Sequence, residues 1–264
     1  MDKVAVITGG TSGIGLAAAQ ELSKNGFQVY TVSRHIPAYA STLRHLQADV
    51  TDEAQTAAVI HAVQEKEGHI DLLINCAGFG ISGAIEFTAT EDATKQLDVN
   101  FFGMVNACKA ALPLMRKAGK GRIINISSVA APIAIPFQAF YSASKAAINA
   151  YTCALANEVR PFGISVTAIQ PGDICTGFTA AREKSAIGDE EYQGRISRSV
   201  SRMEHDEQCG MRPERAGRFI AKIAEKRNVK PLYTIGFSYR LICVLFKLLP
   251  IRVSNWIVGK LYAN

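Results

Sequence analysis

The sequence predicts an α/β fold, in which one doubly wound parallel sheet is covered by helices on both faces and followed by a C-terminal helical extension. Short runs rich in valine and isoleucine alternate with longer helical patterns from the first residues onward, which is typical of βαβ units. The β-branched runs suit strands that are buried on both faces. No linker, repeat or low-complexity tract interrupts residues 1–264, so we expect a single domain.

The predicted elements follow one another in chain order. A first strand at residues 3–7 leads through a glycine-rich turn into a helix at residues 14–25, which ends at Gly26. A second strand covers residues 28–32. The later elements are a helix at 52–66, a strand at 70–74, a helix at 90–117 in one piece or two, a strand at 122–126, a helix at 139–160 and a strand at 164–169.

The segment at residues 174–212 departs from this alternation. It is polar, weakly patterned and rich in arginine, and a segment of that kind after a strand end is typical of a substrate lid. Its arginines favour a solvated helix face over a site for an acidic substrate. They are Arg182, Arg195, Arg198 and Arg202.

The C-terminal extension, residues 238–264, predicts two short amphipathic helices. Its first part is apolar around most of its circumference, but charges and Pro250 interrupt it well short of the ~20 residues of a membrane span. Trp256 and four cations would suit a membrane interface; the cations are Arg240, Lys247, Arg252 and Lys260. The extension therefore rims a lipophilic pocket, rests on a membrane or packs against another subunit, and pocket or subunit packing is the simpler choice.

Composition narrows the functional classes. The six cysteines, at positions 76, 108, 153, 175, 209 and 243, form no Cys-x-x-Cys pair and no metal-ligand spacing with histidine. We therefore expect no metal site, and reduced thiols in a cytoplasmic protein, with a membrane surface as the alternative location. The first ten residues hold too short an apolar run for a signal peptide. The net charge of +6 suits an anionic cofactor or membrane surface, and it does not by itself indicate nucleic acid.

Tyr141 and Lys145 give the first indication of chemistry, because they lie four residues apart within a predicted helix. At that spacing the phenol and the ammonium project from one helix face. A phenol ordinarily has a pKa of about 10, and a neighbouring cation lowers it. The pair therefore suits acid–base chemistry on an alcohol or ketone, although the same spacing alone is more often two ordinary helix neighbours.

The glycine-rich turn at residues 8–15 predicts a dinucleotide site, because it follows a strand and opens a helix. Glycines let the backbone approach a pyrophosphate, and the helix N-terminus supplies free N–H groups. The second strand ends in Ser33 and Arg34 rather than in the acid that would bind the ribose of NAD. Arg34 can pair with a 2′-phosphate and Ser33 can donate to it, so we expect NADP(H) rather than NAD(H).

Several ordered motifs together resemble the short-chain dehydrogenase/reductase family over about residues 3–235. The motifs are the turn at 8–15, Asp49-Val50, Asn75-Cys76-Ala77-Gly78, Asn100, Ser128, Tyr141-x-x-x-Lys145 and Pro171-Gly172 with Thr176. The resemblance, which includes hydroxysteroid and retinol dehydrogenase-like members, implies a Rossmann domain, usually in a homodimer or homotetramer. It also implies hydride transfer between nicotinamide and an alcohol or carbonyl carbon.

The resemblance implies a catalytic role for four residues. Tyr141 would protonate the carbonyl oxygen, and Lys145 would lower the tyrosine pKa and hold the nicotinamide ribose. Ser128 would orient the reacting oxygen. Asn100 would anchor a water that relays protons to Lys145.

The expected cofactor contacts come from the same motifs. Asp49 and Val50 would border the adenine, and Thr176 would hold the carboxamide. Cys76 stands where the family often has a second asparagine, and we expect a small buried residue there. The full set of expected contacts is Gly9, Thr11, Ser12, Gly13, Ile14, Gly15, Ser33, Arg34, Asp49, Val50, Asn75, Ala77, Gly78, Tyr141, Lys145, Pro171, Gly172, Ile174 and Thr176.

The predicted function is NADP(H)-dependent reduction of a carbonyl, or oxidation of an alcohol, on a lipophilic substrate. Steroid-, retinoid- and sphingoid-like ketones are the choices that the resemblance offers, and the apolar run at residues 129–140 with the extension indicates that size class. One alternative is an epimerase or dehydratase, against which the compact length argues. The other is a non-catalytic cofactor-sensing protein, in which Tyr141 or Lys145 would be expected to be lost.

Overall fold

The computed structural model describes residues 2–37 and 43–263. Its strands are β1 (Val4–Thr8), β2 (Gln28–Ser33), β3 (Arg44–Gln47), β4 (Leu72–Asn75), β5 (Ile81–Ser82), β6 (Gly121–Ile126), β7 (Ile164–Gln170), β8 (Glu183–Lys184) and β9 (Leu232–Thr234). Its α-helices are α1 (Gly13–Lys24), α2 (Glu53–Glu67), α3 (Thr90–Leu97), α4 (Gly103–Ala118), α5 (Ala139–Val159), α6 (Phe178–Ala181), α7 (Arg195–Gln208), α8 (Pro213–Glu225), α9 (Phe237–Leu248) and α10 (Ile251–Tyr262).

The main sheet confirms the predicted doubly wound fold. Within the described residues it has seven parallel strands in the order β3-β2-β1-β4-β6-β7-β9. The strand order reverses between β1 and β4, and in such sheets a crevice opens there at the carboxyl ends of the strands. The fold therefore predicts the ligand site beside the turn after β1.

Alternation along β1 explains why both faces of the sheet are covered. Val4 and Val6 belong to one buried cluster, while Ala5 and Ile7 belong to the other. Side chains alternate across a strand, so each cluster needs its own helical layer. Helices α1 and α8 cover one face, and α2, α4 and α5 cover the other.

The predicted helix at residues 90–117 is divided in two by a π-helical turn at Asp98–Phe102. Strands β3 and β9, which are short and lie at the two edges of the sheet, were not predicted from the sequence. β3 reads Arg-His-Leu-Gln, and such a polar run carries no strand pattern, because an edge strand has solvent beside it.

The segment at residues 174–212 is more ordered than its weak pattern indicated. It contains α6, β8 and α7, and β8 pairs with β5. Ile196, Val200 and Met203 recur at helical spacing on α7 and pack into a small third cluster with Phe137. This segment is thereby fixed beside the start of α5.

The extension forms α9 and α10, which bury few of their own side chains. Cys243, Ser254 and Val258 face inward. Tyr239 donates a hydrogen bond to Asp173 Oδ2 at 2.6 Å, and its ring packs against Gly172 so closely that a side chain there would collide with it. In the part of the chain that the structure describes, no helix combines the length and the hydropathy that crossing a bilayer requires.

Candidate active site

A central cavity of about 360 Å³ opens at the carboxyl ends of the sheet strands. Its lining combines the glycine-rich turn, the segments after β4, β6 and β7, and the first turns of α5. Of the expected site residues, it brings together Gly9, Ser12, Gly13, Ile14, Ala77, Gly78, Ser128, Tyr141, Lys145, Pro171, Gly172, Ile174 and Thr176. Residues that are distant in the sequence therefore meet at the crevice that the sheet topology predicts.

Tyr141 and Ser128 form the proton-handling part of this cavity. Burial raises the pKa of Tyr141 to about 12, and a hydrogen bond with Ser128 acts in the opposite direction. The phenol is therefore protonated at neutral pH. Ser128 Oγ also accepts a hydrogen bond from Ala130 N at 3.0 Å, which fixes the serine at the end of β6.

Lys145 lies one helical turn beyond Tyr141 and is 6% exposed. Its Nζ is 5.6 Å from the centre of the Tyr141 ring and donates a hydrogen bond to Ile126 O at 2.9 Å. Burial lowers the pKa of Lys145 to about 8. The expected lowering of the tyrosine pKa by Lys145 stays a prediction.

Asn100 lies in the π-helical turn and is almost fully buried. Its Oδ1 accepts from Phe79 N at 2.9 Å, and its Nδ2 donates to Phe79 O at 3.0 Å and to Ser144 Oγ at 3.1 Å. The side chain therefore ties the segment after β4 to α5. The expected water-anchoring role of Asn100 stays a prediction.

The glycine-rich turn has the shape that a pyrophosphate requires. Gly9 and Gly13 have φ of +65° and +52°, values that favour glycine. A Cβ on Gly9 would lie 2.7 Å from the backbone of Ala77, so the turn sits directly against the segment after β4. Gly15 lets α1 begin tightly against the Gly9 carbonyl. These residues fit a dinucleotide phosphate at the N-terminus of α1.

A second cavity of about 480 Å³ lies at the ends of β2 and β3, and Arg34, Asp49 and Thr51 line it. Arg34 is exposed. Asp49 Oδ1 accepts from Thr51 N and Thr51 Oγ1 at 3.0 and 2.8 Å. The structure therefore brings Arg34 and Asp49 together, as expected for the two ends of an adenosine site.

Five expected cofactor contacts line neither cavity, and these are Thr11, Gly15, Ser33, Val50 and Asn75. The Ser33 hydroxyl donates to His35 O at 2.6 Å, and Val50 packs against Gly103. Asn75 Nδ2 donates to Asn125 Oδ1 at 2.9 Å, inside the sheet. In this structure these three side chains contact other parts of the protein, and their expected cofactor contacts stay predictions.

Two further expectations need correction. Cys76 was expected to be buried, but it is half-buried and lines the central cavity. Desolvation nevertheless raises the pKa of its thiol to about 11. Arg182 is not on a solvated face: its side chain is fully buried and forms an ion pair with Glu207. A buried arginine paired with a residue on a different helix leaves no local sequence signal.

Several residues that line the central cavity were not predicted as site residues from the sequence. Gln138 precedes α5, and Glu207 lies in the last turn of α7. Phe178 lies on α6, and the centre of its ring is 5.7 Å from that of Tyr141. Asp173 follows Pro171-Gly172 directly. Its place next to that motif was the one available signal; the others reach the cavity only through the packing of α6 and α7.

Comparison with known proteins gives the same picture. A family model described as short chain dehydrogenase matches residues 3–186. The 3-ketodihydrosphingosine reductase of Bacteroides thetaiotaomicron is 43% identical over 244 residues, which cover 89% of this chain and 91% of that protein.

Solved structures extend the likeness along nearly the whole chain. A short-chain dehydrogenase from Streptomyces avermitilis has a TM-score of 0.83 at 26% identity, over 98% of this chain and 96% of that one. ElxO with NADP bound has a TM-score of 0.75 at 29% identity, over 91% of this chain and 100% of that one. The chain belongs to the short-chain dehydrogenase/reductase family and is an NAD(P)-dependent oxidoreductase.

Proposed function

We propose that this protein is an NADPH-dependent reductase that converts a long-chain, sphingoid-like ketone into a secondary alcohol. The observation that carries the proposal is the meeting of Tyr141, Ser128 and Lys145 in one cavity with the glycine-rich turn. The relative that is 43% identical is named for a ketone of this class. Phe79, Ile135 and Phe178 add apolar surface to the cavity, which suits an aliphatic chain.

In the proposed mechanism, Ser128 and Tyr141 act on the substrate carbonyl, and Lys145 acts on Tyr141. The Ser128 hydroxyl donates a hydrogen bond to the carbonyl oxygen and holds it near the phenol. Tyr141, which like any phenol is protonated at neutral pH, gives its proton to that oxygen as negative charge develops. The Lys145 cation stabilises the resulting phenolate through space. Bound NADPH would supply the hydride.

NADPH is proposed over NADH because of the charge at the end of β2. Arg34 is an exposed cation beside the second cavity. A guanidinium can hold a phosphate by two parallel hydrogen bonds, which the uncharged ribose hydroxyls of NADH cannot match. ElxO, whose solved structure holds NADP, is a neighbour in fold. Residues 174–212 would close over the cavity as a lid, since α6 and α7 supply part of its lining.

The test is turnover of 3-ketodihydrosphingosine by the purified full-length protein, followed by the loss of NADPH absorbance and by product analysis. Tyr141→Phe should reduce turnover by ~10²–10⁴-fold, the usual contribution of general acid catalysis, while NADPH still binds. Tyr151→Phe is the matched control, because Tyr151 lies on the same helix and packs against Phe101 away from the cavity. No NADPH-dependent turnover by the unmodified protein would refute the proposal.

We further propose that α9 and α10 rest on an anionic membrane surface. Ten of the fifteen large hydrophobic side chains exposed in the described part of the chain lie on these two helices, among them Leu248 at 78% and Ile251 at 80%. Residues 237–263 contain four cations and no acidic residue. An apolar surface whose charged residues are all cations complements an anionic bilayer better than a second copy of the same cationic face.

Trp256 is the single tryptophan of the chain and is 63% exposed on α10, so its fluorescence reports on this surface alone. Vesicles that contain phosphatidylglycerol should sediment the protein and shift the Trp256 emission to the blue, whereas pure phosphatidylcholine should do so less. Leu248→Asp with Ile251→Asp should abolish both signals, and Ile187→Asp, the same type of substitution at an exposed site outside both helices, should not. A concentration-dependent dimer that these substitutions dissociate, without lipid binding, would assign the face to subunit packing instead.

A further inference from the structure

We propose that Glu207, Asp173 and Gln138 recognise a protonated amino group on the carbon next to the substrate carbonyl. This inference rests on the proposed reductase function and narrows its substrate class to α-amino ketones. The three residues come from three separate parts of the fold and meet in the wall of the central cavity that also holds Tyr141.

Gln138 supplies the first observation. It is 6% exposed and lies three residues before Tyr141, at the entry to α5. Among the described residues no partner satisfies its side-chain amide, although its backbone N–H and C=O are both bonded. Its amide atoms are not among the fully buried unpaired atoms of the described residues, so they are open to the cavity, where the amide oxygen can accept a hydrogen bond from a ligand.

Glu207 is held in place by two donors. Thr179 Oγ1 donates to one carboxylate oxygen at 2.7 Å, and Arg182 pairs with the other. A carboxylate offers about four acceptor positions, so two remain for a ligand. The Arg182 side chain is fully buried and cannot itself reach solvent, which leaves Glu207 as the member of the pair that lines the cavity.

Asp173 adds a second carboxylate that is fixed from outside the cavity by Tyr239 of α9, at 2.6 Å. Two carboxylates against the one guanidinium of Arg182 leave one negative charge on this wall, and a single ammonium would balance it. The other cation of the cavity, Lys145, donates to Ile126 O beside Tyr141. Burial raises the pKa of Asp173, so a cationic ligand would favour its ionised form.

The wall lies close to the reacting oxygen. Glu207 and Asp173 both act electrostatically on Tyr141, each raising the pKa of its phenol. A cation bound by these carboxylates therefore sits near the carbonyl that Tyr141 protonates, rather than at the far end of the chain. 3-Ketodihydrosphingosine carries its amine next to the ketone and fits this placement, whereas steroid and retinoid ketones have no amine to offer.

The test compares 3-ketodihydrosphingosine with 1-hydroxyoctadecan-3-one, which lacks the amine, by kcat/KM with saturating NADPH. The unmodified protein should prefer the amine by about tenfold to a hundredfold, the value of one hydrogen bond to a charged group. Glu207→Gln should remove most of that preference by lowering kcat/KM for the amino ketone alone. Gln138→Leu should act in the same direction and serves as the second variant, since it leaves the Arg182 pair intact.

Glu204→Gln is the matched control, because Glu204 lies on the same helix but pairs with Lys184 and does not line the cavity. It should keep the preference for the amine. Equal kcat/KM for both ketones in the unmodified protein would overturn the inference while leaving the reductase function standing, as would equal losses for both ketones in the Glu207 and Gln138 variants. Absence of turnover for both ketones would overturn the proposed function itself.

Discussion

The two sides of the central cavity are built by different means. On the side of β1 and β4 the walls are backbone: glycines with positive φ, strand ends and the N-terminus of α1. On the side of α6 and α7 the walls are side chains held by other side chains, such as Glu207 by Arg182. The first kind of wall depends on short sequence motifs, and the second depends on tertiary packing. The first suits a ligand shared by a whole family, and the second suits one that differs between members.

The largest expected effect tests the backbone wall. Gly9→Ala should destabilise the protein by more than about 3 kcal/mol, because left-handed strain of about 1–3 kcal/mol is added to a collision with the Ala77 backbone. Urea unfolding and NADPH titration would measure the loss of stability and of cofactor binding. Gly26→Ala is the control, since Gly26 has φ of +83° but nothing within 4 Å. Equal losses in both variants would mean that close contact with Ala77 contributes nothing.

The next largest effect concerns Arg34, which lies at the second cavity, where the adenosine end of the cofactor is expected. Arg34→Ala should lower kcat/KM with NADPH by about tenfold to a hundredfold, because charge-assisted hydrogen bonds to the 2′-phosphate are lost. Activity with NADH should change little. Lys117→Ala removes an exposed cation at the end of α4, distant from both cavities, and should leave the cofactor ratio unchanged. A ratio that Arg34→Ala does not alter would contradict the assignment.

The smallest effect concerns the pH dependence of kcat/KM, which we expect Lys145 to set. The folded-state pKa of Lys145 is about 8, below its ordinary value, so its ammonium is present below pH 8 and is lost as the pH rises. The kcat/KM for ketone reduction should therefore fall by about half near pH 8 and further above it. Tyr141, with a pKa of about 12, cannot produce this limb. Lys145→Arg should have lower activity, but its kcat/KM should not decline near pH 8. A wild-type profile that is flat to about pH 9.5 would contradict the assignment of the decline to Lys145.

The sequence was sufficient for the central strands of the sheet and for the catalytic spacing. Strands such as β1 consist mostly of apolar residues, and this pattern by itself predicts a buried strand. Tyr141 and Lys145 share a helix, so their proximity follows from helix geometry. The π-helical turn that carries Asn100 lay inside a helix that was predicted in one piece or two. Edge strands β3 and β9 were missed, because short edge strands gain much of their order from one neighbour.

The substrate side was not predictable in the same way. Arg182 looked like a solvated cation, and only the packing of α6 against α7 brings Glu207 to it. Gln138 carries no pattern that separates it from any polar residue before a helix. Their positions depend on contacts between residues far apart in the chain, and a single sequence does not record which partner each one meets.

The contact between Gly172 and the Tyr239 ring also bears on recombination among relatives. A chimera that exchanges only residues 237–263 would separate the aromatic ring from the glycine that makes room for it, and from the Asp173 carboxylate that it holds. A crossover placed before Pro171 would keep the strand-end loop, residues 174–212 and both terminal helices together as one unit. Such an exchange would move the substrate side and the terminal helices together with the expected cofactor contacts at residues 171–176, and it would leave the glycine-rich turn and Arg34 in place.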